Sequence, residues 1–168
     1  MHKFTNISIV SHTLCFITSN EKILMLHRYN PPNEGLWNGV GGRIEKNETP
    51  LQACLREVHE EAGIVLTRAR FGGLLNWFSP NIHGTLALYT ARVQSETICE
   101  CDEGELQWKR RDWVFSSSEV VQNIHVVGPL VINGAPASIY HFEYDSFDNI
   151  INYERHEWMS SLNKQDYQ

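Results

Sequence analysis

Three carboxylates carry the first sign of chemistry in this sequence. Glu57, Glu60 and Glu61 fall at i, i+3 and i+4, the spacing that sets side chains beside one another on one helical face. Like charges so placed repel. They also sit toward the C-terminal end of their segment, where a helix macrodipole disfavours anions. Arg56 relieves Glu60 at i+4, but one guanidinium does not neutralise three acids. A solvated acidic face is the ordinary meaning of such a cluster. The other meaning is a bound hard cation: Mg²⁺ takes oxygen ligands and keeps waters and substrate phosphates in the rest of its shell.

The acids need a helix, and the sequence marks both of its ends. Thr49 is a good N-cap, Pro50 suits the first helical position, and Gln52 completes a T-x-x-Q capping box. Gly63 stands where a left-handed C-terminal cap wants glycine. Leu51, Cys54, Leu55, Val58 and Ala62 recur at the spacing of a buried stripe, set apart from the acidic one. Upstream lies a glycine turn, Gly39-Val40-Gly41-Gly42, in which the backbone can approach a ligand closely.

The rest of the chain reads mostly as strands. Residues 7–18 and 22–27 are strand candidates joined by a turn, followed by a Pro-, Asn- and Gly-rich loop at 28–35. Two extended runs follow at 69–78 and 85–93, then a polar, acidic stretch at 94–104 and a short strand at 106–109. Residues 116–133 show helical spacing of Val120, Val121, Ile124, Val127 and Leu130, with Gly128-Pro129 expected to break it. Residues 139–144 and 150–153 read as a closing hairpin, and 156–168 as a polar, frayed tail. No internal repeat or linker is visible, so residues 1–168 read as one domain of α+β class.

Composition narrows the partners. The 168 residues are 42% hydrophobic and 20% charged, ordinary for a globular domain. A net charge of −6 argues against binding to a nucleic-acid polymer. The apolar run near residues 7–17 is too short to cross a membrane. Cys15, Cys54, Cys99 and Cys101 have no paired C-x-x-C spacing and read as free thiols in a reducing, cytoplasmic setting.

Taken together, Gly42, Glu48 and the run Arg56-Glu57-Val58-His59-Glu60-Glu61-Ala62-Gly63-Ile64 resemble the Nudix box, G-x5-E-x7-R-E-U-x-E-E-x-G-U with U apolar. Every specified position is filled. The resemblance implies an α/β/α sandwich with a mixed sheet between helices, and hydrolysis of a nucleoside diphosphate linked to another moiety. It implies Mg²⁺, with Mn²⁺ as a substitute, held by Glu57, Glu60, Glu61 and the carbonyl of Gly42. Arg56 would orient Glu57, and Glu48 would hydrogen-bond within the loop and helix. Family members often add an acid from another loop, five or six residues before a Trp. With Trp108 that selects Glu103 or Asp102, and Glu103 is preferred as ligand or base. Arg28 and Arg43 are the cations placed to meet phosphates.

Substrate hints lie outside the box. Trp37-Asn38-Gly39 and Glu103-Gly104-Glu105-Leu106-Gln107-Trp108 resemble MutT-type enzymes that act on oxidised purine nucleoside triphosphates. In that group the Asn of W-N-G reads the purine edge, which implies this role for Asn38. The group also reads its base just before the last helix. The matching stretch here, near Asn123, has no aromatic platform, so Trp37, Trp77 or Phe78 would have to supply one. The competing reading is an ADP-ribose or nucleotide-sugar pyrophosphatase, for which Pro80 stands at a familiar place. A dinucleoside polyphosphate reading is weaker still. A module that binds nucleotide without cutting it is disfavoured by the completeness of the box. The expected partner is a small nucleotide.

Overall fold

The computed structural model describes residues 9–158 and 163–168. Eight strands form one mixed sheet: β1 Val10–Ser19, β2 Lys22–Arg28, β3 Trp37–Asn38, β4 Arg70–Phe78, β5 His83–Arg92, β6 Gly104–Arg110, β7 Ser138–Tyr144 and β8 Ile150–Glu157. Their order is β3-β2-β1-β5-β4-β7-β8, with β6 added along the other side of β2. β1 pairs parallel with β5, and β4 parallel with β7; the other pairings are antiparallel.

Side-chain alternation divides the sheet's two faces between two cores. In β1, Leu14 and Phe16 face one core, while Cys15 and Ile17 face the other. The second core receives helix α1, Pro50–Ala62, through Cys54, Val58 and Ala62. The first is covered by the short helix α2, Arg111–Val114, and by α3, Ile124–Ile132. The α/β/α layering is therefore the expected one. On α1, Ala53 is buried, while Leu55, expected in the apolar stripe, is only half-buried.

Three expectations need correction. The first strand begins at Val10 rather than residue 7, and Ile7 and Ser8 lie outside the described residues. Gly128-Pro129 does not break the last helix, which continues to Ile132. Proline forfeits one intrahelical hydrogen bond, yet its neighbour has no Cβ to crowd the ring. Glycine is also required there by packing: a Cβ on Gly128 would come 2.7 Å from Phe115 Cε1.

The third correction concerns residues 156–168. β8 runs to Glu157, and a 3₁₀ turn, Lys164–Tyr167, docks on the α1 side of the sheet. The Tyr167 ring stacks on Phe71, with centroids 5.0 Å apart, and Trp158 meets both rings edge-on. Tyr89 Oη donates to the Tyr167 carbonyl at 2.8 Å. Polarity hid this docking because two aromatics carry it while Asn163, Lys164, Gln165 and Asp166 face solvent; residues 159–162 lie outside the described residues. Tyr167→Ala should cost about 1–2 kcal/mol through lost area and ring contact. Urea denaturation measures this, and an unchanged midpoint would mean that the docking adds no stability.

Candidate active site

The helix that carries the acids begins as its residues dictate. Thr49 Oγ1 accepts from the Gln52 N–H at 3.2 Å, and Gln52 Oε1 accepts from the Thr49 N–H at 2.8 Å. Gly63 closes the helix in the left-handed region at φ 69°. The glycine turn lies along β1, where the Cys15 N–H donates to the Val40 carbonyl and the Thr13 N–H to that of Gly42. Two glycines are demanded by close approach. A Cβ on Gly41 would stand 2.1 Å from the Thr13 carbonyl oxygen, and one on Gly42 would stand 2.5 Å from the Glu57 carboxyl.

Arg56 ties the turn to the helix. Its Nε and Nη2 donate to the two oxygens of Glu48, at 2.7 and 3.0 Å. Nη1 reaches Glu57 at 2.9 Å and Glu60 at 3.0 Å, and Nη2 also reaches the Arg43 carbonyl at 2.9 Å. These bonds hold the guanidinium firmly protonated and pull the Glu48 carboxyl below its ordinary range. Glu48 therefore acts within the loop and helix.

Glu61 is the unusual acid. It is 5% exposed, and Oε2 accepts from the Gly41 N–H at 3.0 Å. Oε1 is buried without a partner among the described residues. Burial first, with the charges of Glu103 and Glu57 adding to it, pushes its pKa up to about 8 against the pull of the Gly41 bond. Burial also raises the Glu57 pKa, opposed by Arg56, while Glu60 and Glu103 add to the rise. Glu60 is the outermost, its side chain 57% exposed.

Glu103 belongs to the same electrostatic neighbourhood, since its charge acts on both Glu57 and Glu61. It precedes β6 on the loop that meets the end of β2, where the Tyr29 N–H donates to its carbonyl. Arg28 Nη1 lies 3.6 Å from its carboxylate, and Arg28 Nε donates to the Pro32 carbonyl at 2.7 Å. Arg43 is exposed beside the glycine turn and bridges to His12 on β1.

The donor set suits a hard divalent cation in chemistry: carboxylate oxygens, one of them buried and unpartnered, beside a backbone turn. It is not drawn together around one point. Among the described residues no group of three or more acids, His or Cys is placed to hold a metal ion. The reason is visible in Arg56, whose Nη1 draws Glu57 and Glu60 toward itself.

The residues expected to read the base are divided. In β3, Trp37 stands opposite His27 and Asn38 opposite Leu26, so the two side chains leave the sheet on opposite sides. Trp37 is not available as a stacking platform. It is 5% exposed in the α3-side core, stacked on His27 at 4.8 Å, with Trp113 edge-on and Lys109 Nζ 4.2 Å from its ring centre. The flanking residues were missed from sequence, although strand alternation in β2 and β6 places His27 and Lys109 on that side. Asn38 Oδ1 accepts from the Gly39 N–H at 2.9 Å. Asn123 Nδ2 donates to Tyr144 Oη at 3.0 Å, a partner that sequence spacing did not indicate.

The three-layer fold carries a capped acidic helix under a glycine turn, and comparison with known proteins places it in a family. The NUDIX domain profile matches residues 10–125. The chain thus belongs to the Nudix hydrolase family. It is similar to YvcI of Bacillus subtilis, an uncharacterised Nudix hydrolase, at 28% identity over 102 residues, which is 57% of this chain. The chain spans 63% of that relative's length. It is also 28% identical to the phosphatase NudJ of Escherichia coli K12 over 117 residues, covering 70% of this chain and 74% of NudJ. Among solved structures, a MutT protein from Bacillus halodurans aligns with TM-score 0.75 at 22% identity, covering 86% of this chain and 95% of the other. At that identity the likeness concerns the fold.

Burial assigns Trp37 to the core, and this is directly testable. Trp37→Ala should cost about 3 kcal/mol or more, whereas Asn38→Ala should cost under about 1 kcal/mol. Thermal or urea denaturation of the two variants checks the contrast. Equal losses would mean that the indole does not anchor the core.

Proposed function

We propose that this chain hydrolyses a nucleoside diphosphate linkage with Mg²⁺, or Mn²⁺ in its place. We further propose that its preferred substrate is an oxidised purine nucleoside triphosphate such as 8-oxo-dGTP, released as monophosphate and pyrophosphate. The observation that carries the hydrolytic reading is Glu61. A buried carboxyl with one unpartnered oxygen, beside Glu57 and under a glycine turn, is costly to ionise unless a cation comes to it. The substrate reading rests on Trp37-Asn38-Gly39 and the motif from Glu103 to Trp108.

Each residue then has a task. Glu57, Glu60 and Glu61, with the Gly42 carbonyl, would hold the metal. The Gly42 carbonyl keeps a second lone pair beyond the one used by the Thr13 N–H. Bound there, a metal would neutralise phosphate charge and make a water more acidic. Arg56 orients Glu57 and Glu60 through its Nη1. Glu103, on the facing loop, serves as the outer acid. Arg28 and Arg43 meet phosphate oxygens through charge-assisted hydrogen bonds. Asn38 Oδ1 is partly engaged by Gly39, which leaves its Nδ2 hydrogens as the groups that address an acceptor on the base. A cytoplasmic setting fits four free cysteines, and among the described residues no helix is long and apolar enough to cross a membrane.

The competing ADP-ribose reading draws less support here. Pro80 sits inside a turn closed by Ser79 and Ile82, which accounts for a proline without any ligand. Turnover of 8-oxo-dGTP, dGTP and ADP-ribose with Mg²⁺ separates the readings. We expect the highest kcat/KM for 8-oxo-dGTP, and preference for ADP-ribose would replace it. Glu61→Gln should lower kcat by roughly 100-fold or more while keeping the metal-free fold, since burial already favours the neutral carboxyl that the amide mimics. Full activity in that variant would overturn the site. Asn38→Ala should shrink the 8-oxo-dGTP to dGTP preference roughly tenfold. A uniform loss on both substrates would deny it the reading role.

A further inference from the structure

A cavity of about 430 Å³ opens at the turn between β1 and β2. It is remote from the acidic helix face. Glu21, on its rim, stands seven residues before Arg28, roughly 20 Å along an extended strand. The cavity also opens on the other side of the sheet. Thr90 pairs with Phe16, which belongs to the α3-side core, and Arg92 pairs with Thr18 two residues further on. Ile132, at the end of α3, completes the wall.

Its chemistry is basic in an acidic chain. Two arginines, Arg92 and Arg111, line it with one exposed acid, Glu21. Neither arginine has an ion-pair partner among the described residues. The Nε of Arg111 is buried with no hydrogen-bond partner there, an arrangement that is costly for a charged donor. The other polar walls do not supply that partner. The hydroxyls of Thr18 and Thr90 donate to the Ala91 and Phe16 carbonyls, at 3.3 and 2.9 Å. The Glu21 carbonyl accepts from the Arg111 backbone N–H at 2.9 Å. The unmet buried donor is Arg111 Nε, and the exposed Arg92 brings a second planar N–H fork to the same cavity. An anion bridging two forks needs several acceptor oxygens around one centre, which is the chemistry of a phosphate.

We propose that this cavity is a second anion site, separate from the hydrolytic one, that holds a phosphate or pyrophosphate group between Arg92 and Arg111. The group is either free or carried on a nucleotide. The volume is ample for either source. Nothing in the proposal depends on the acids of α1.

Isothermal titration of the full chain in metal-free buffer tests it, with inorganic pyrophosphate and AMP as separate probes. Saturable binding of pyrophosphate alone identifies the free anion, and binding of AMP in competition with pyrophosphate identifies a nucleotide phosphate. In either case Arg111→Gln and Arg92→Gln should each weaken binding about tenfold, and added salt should weaken it further. Basal Mg²⁺-dependent hydrolysis should stay within about twofold of the parent, because neither arginine belongs to the hydrolytic set. Arg92 is exposed, so its variant remains informative if Arg111→Gln fails to fold, which the ligand-free melting temperature reports. The proposal is overturned if neither probe binds saturably. It is equally overturned if folded Arg92→Gln and Arg111→Gln bind as the parent does, or if binding is lost instead in Arg28→Gln or Arg43→Gln.

Discussion

The site depends on one side chain satisfying five acceptors. Arg56 has five N–H hydrogens, and its contacts reach Glu48 twice, Glu57, Glu60 and the Arg43 carbonyl. An exposed ion pair contributes little, but this one is different in kind. Arg56 and Glu48 are largely withdrawn from water, with side chains 23% and 15% exposed. The fork joins the loop after the glycine turn to the middle of α1, so turn and helix cannot drift independently. A lysine would bring the charge without the planar fork.

That clamp explains how the helix tolerates its acids. Glu57 and Glu60 share one guanidinium, which offsets their mutual repulsion. Glu61 is outside its reach and is held by the Gly41 N–H instead. The glycines are thus structural twice over. One lets the turn press against β1, and the other leaves room for the Glu57 carboxyl. What remains uncompensated is a buried carboxylate whose proton affinity is raised by its surroundings. The arrangement concentrates its unmet hydrogen-bonding capacity at one defined place, between helix and turn.

Much of this was legible because it is local. The capping box, the Gly63 cap and the Glu48 to Arg56 spacing each involve residues within about two helical turns, so residue type and offset specify the contact. The features that escaped are those whose partners lie far along the chain. Pro129 reads as a breaker until Phe115 is seen pressed against Gly128. The tail reads as frayed until Phe71, nearly a hundred residues earlier, receives Tyr167. Trp37 looks like a ligand platform because sequence cannot say that His27 and Lys109 already occupy its neighbourhood. Within the site, position was legible and enclosure was not: nothing in the spacing of Glu57, Glu60 and Glu61 says that only Glu61 is buried.

Strand β3 gives two neighbouring residues different surroundings. Its two residues point to opposite sides of the sheet, so adjacency in sequence becomes separation in space. Trp37 secures the α3-side core, and that core in turn holds the segment before α3: the Trp37 N–H donates to the Glu119 carbonyl, and the Val121 N–H to the Trp37 carbonyl. Asn123 follows directly and is tied to Tyr144 on β7. Asn38 leaves on the other side, next to the glycine turn whose backbone holds Glu61. The indole therefore acts on both neighbours at once, by fixing the strand from which Asn38 projects and the segment in which Asn123 lies. On the function proposed above, Asn38 is the residue that couples the base to the phosphate end, because one peptide unit separates it from the turn whose Gly41 N–H holds Glu61.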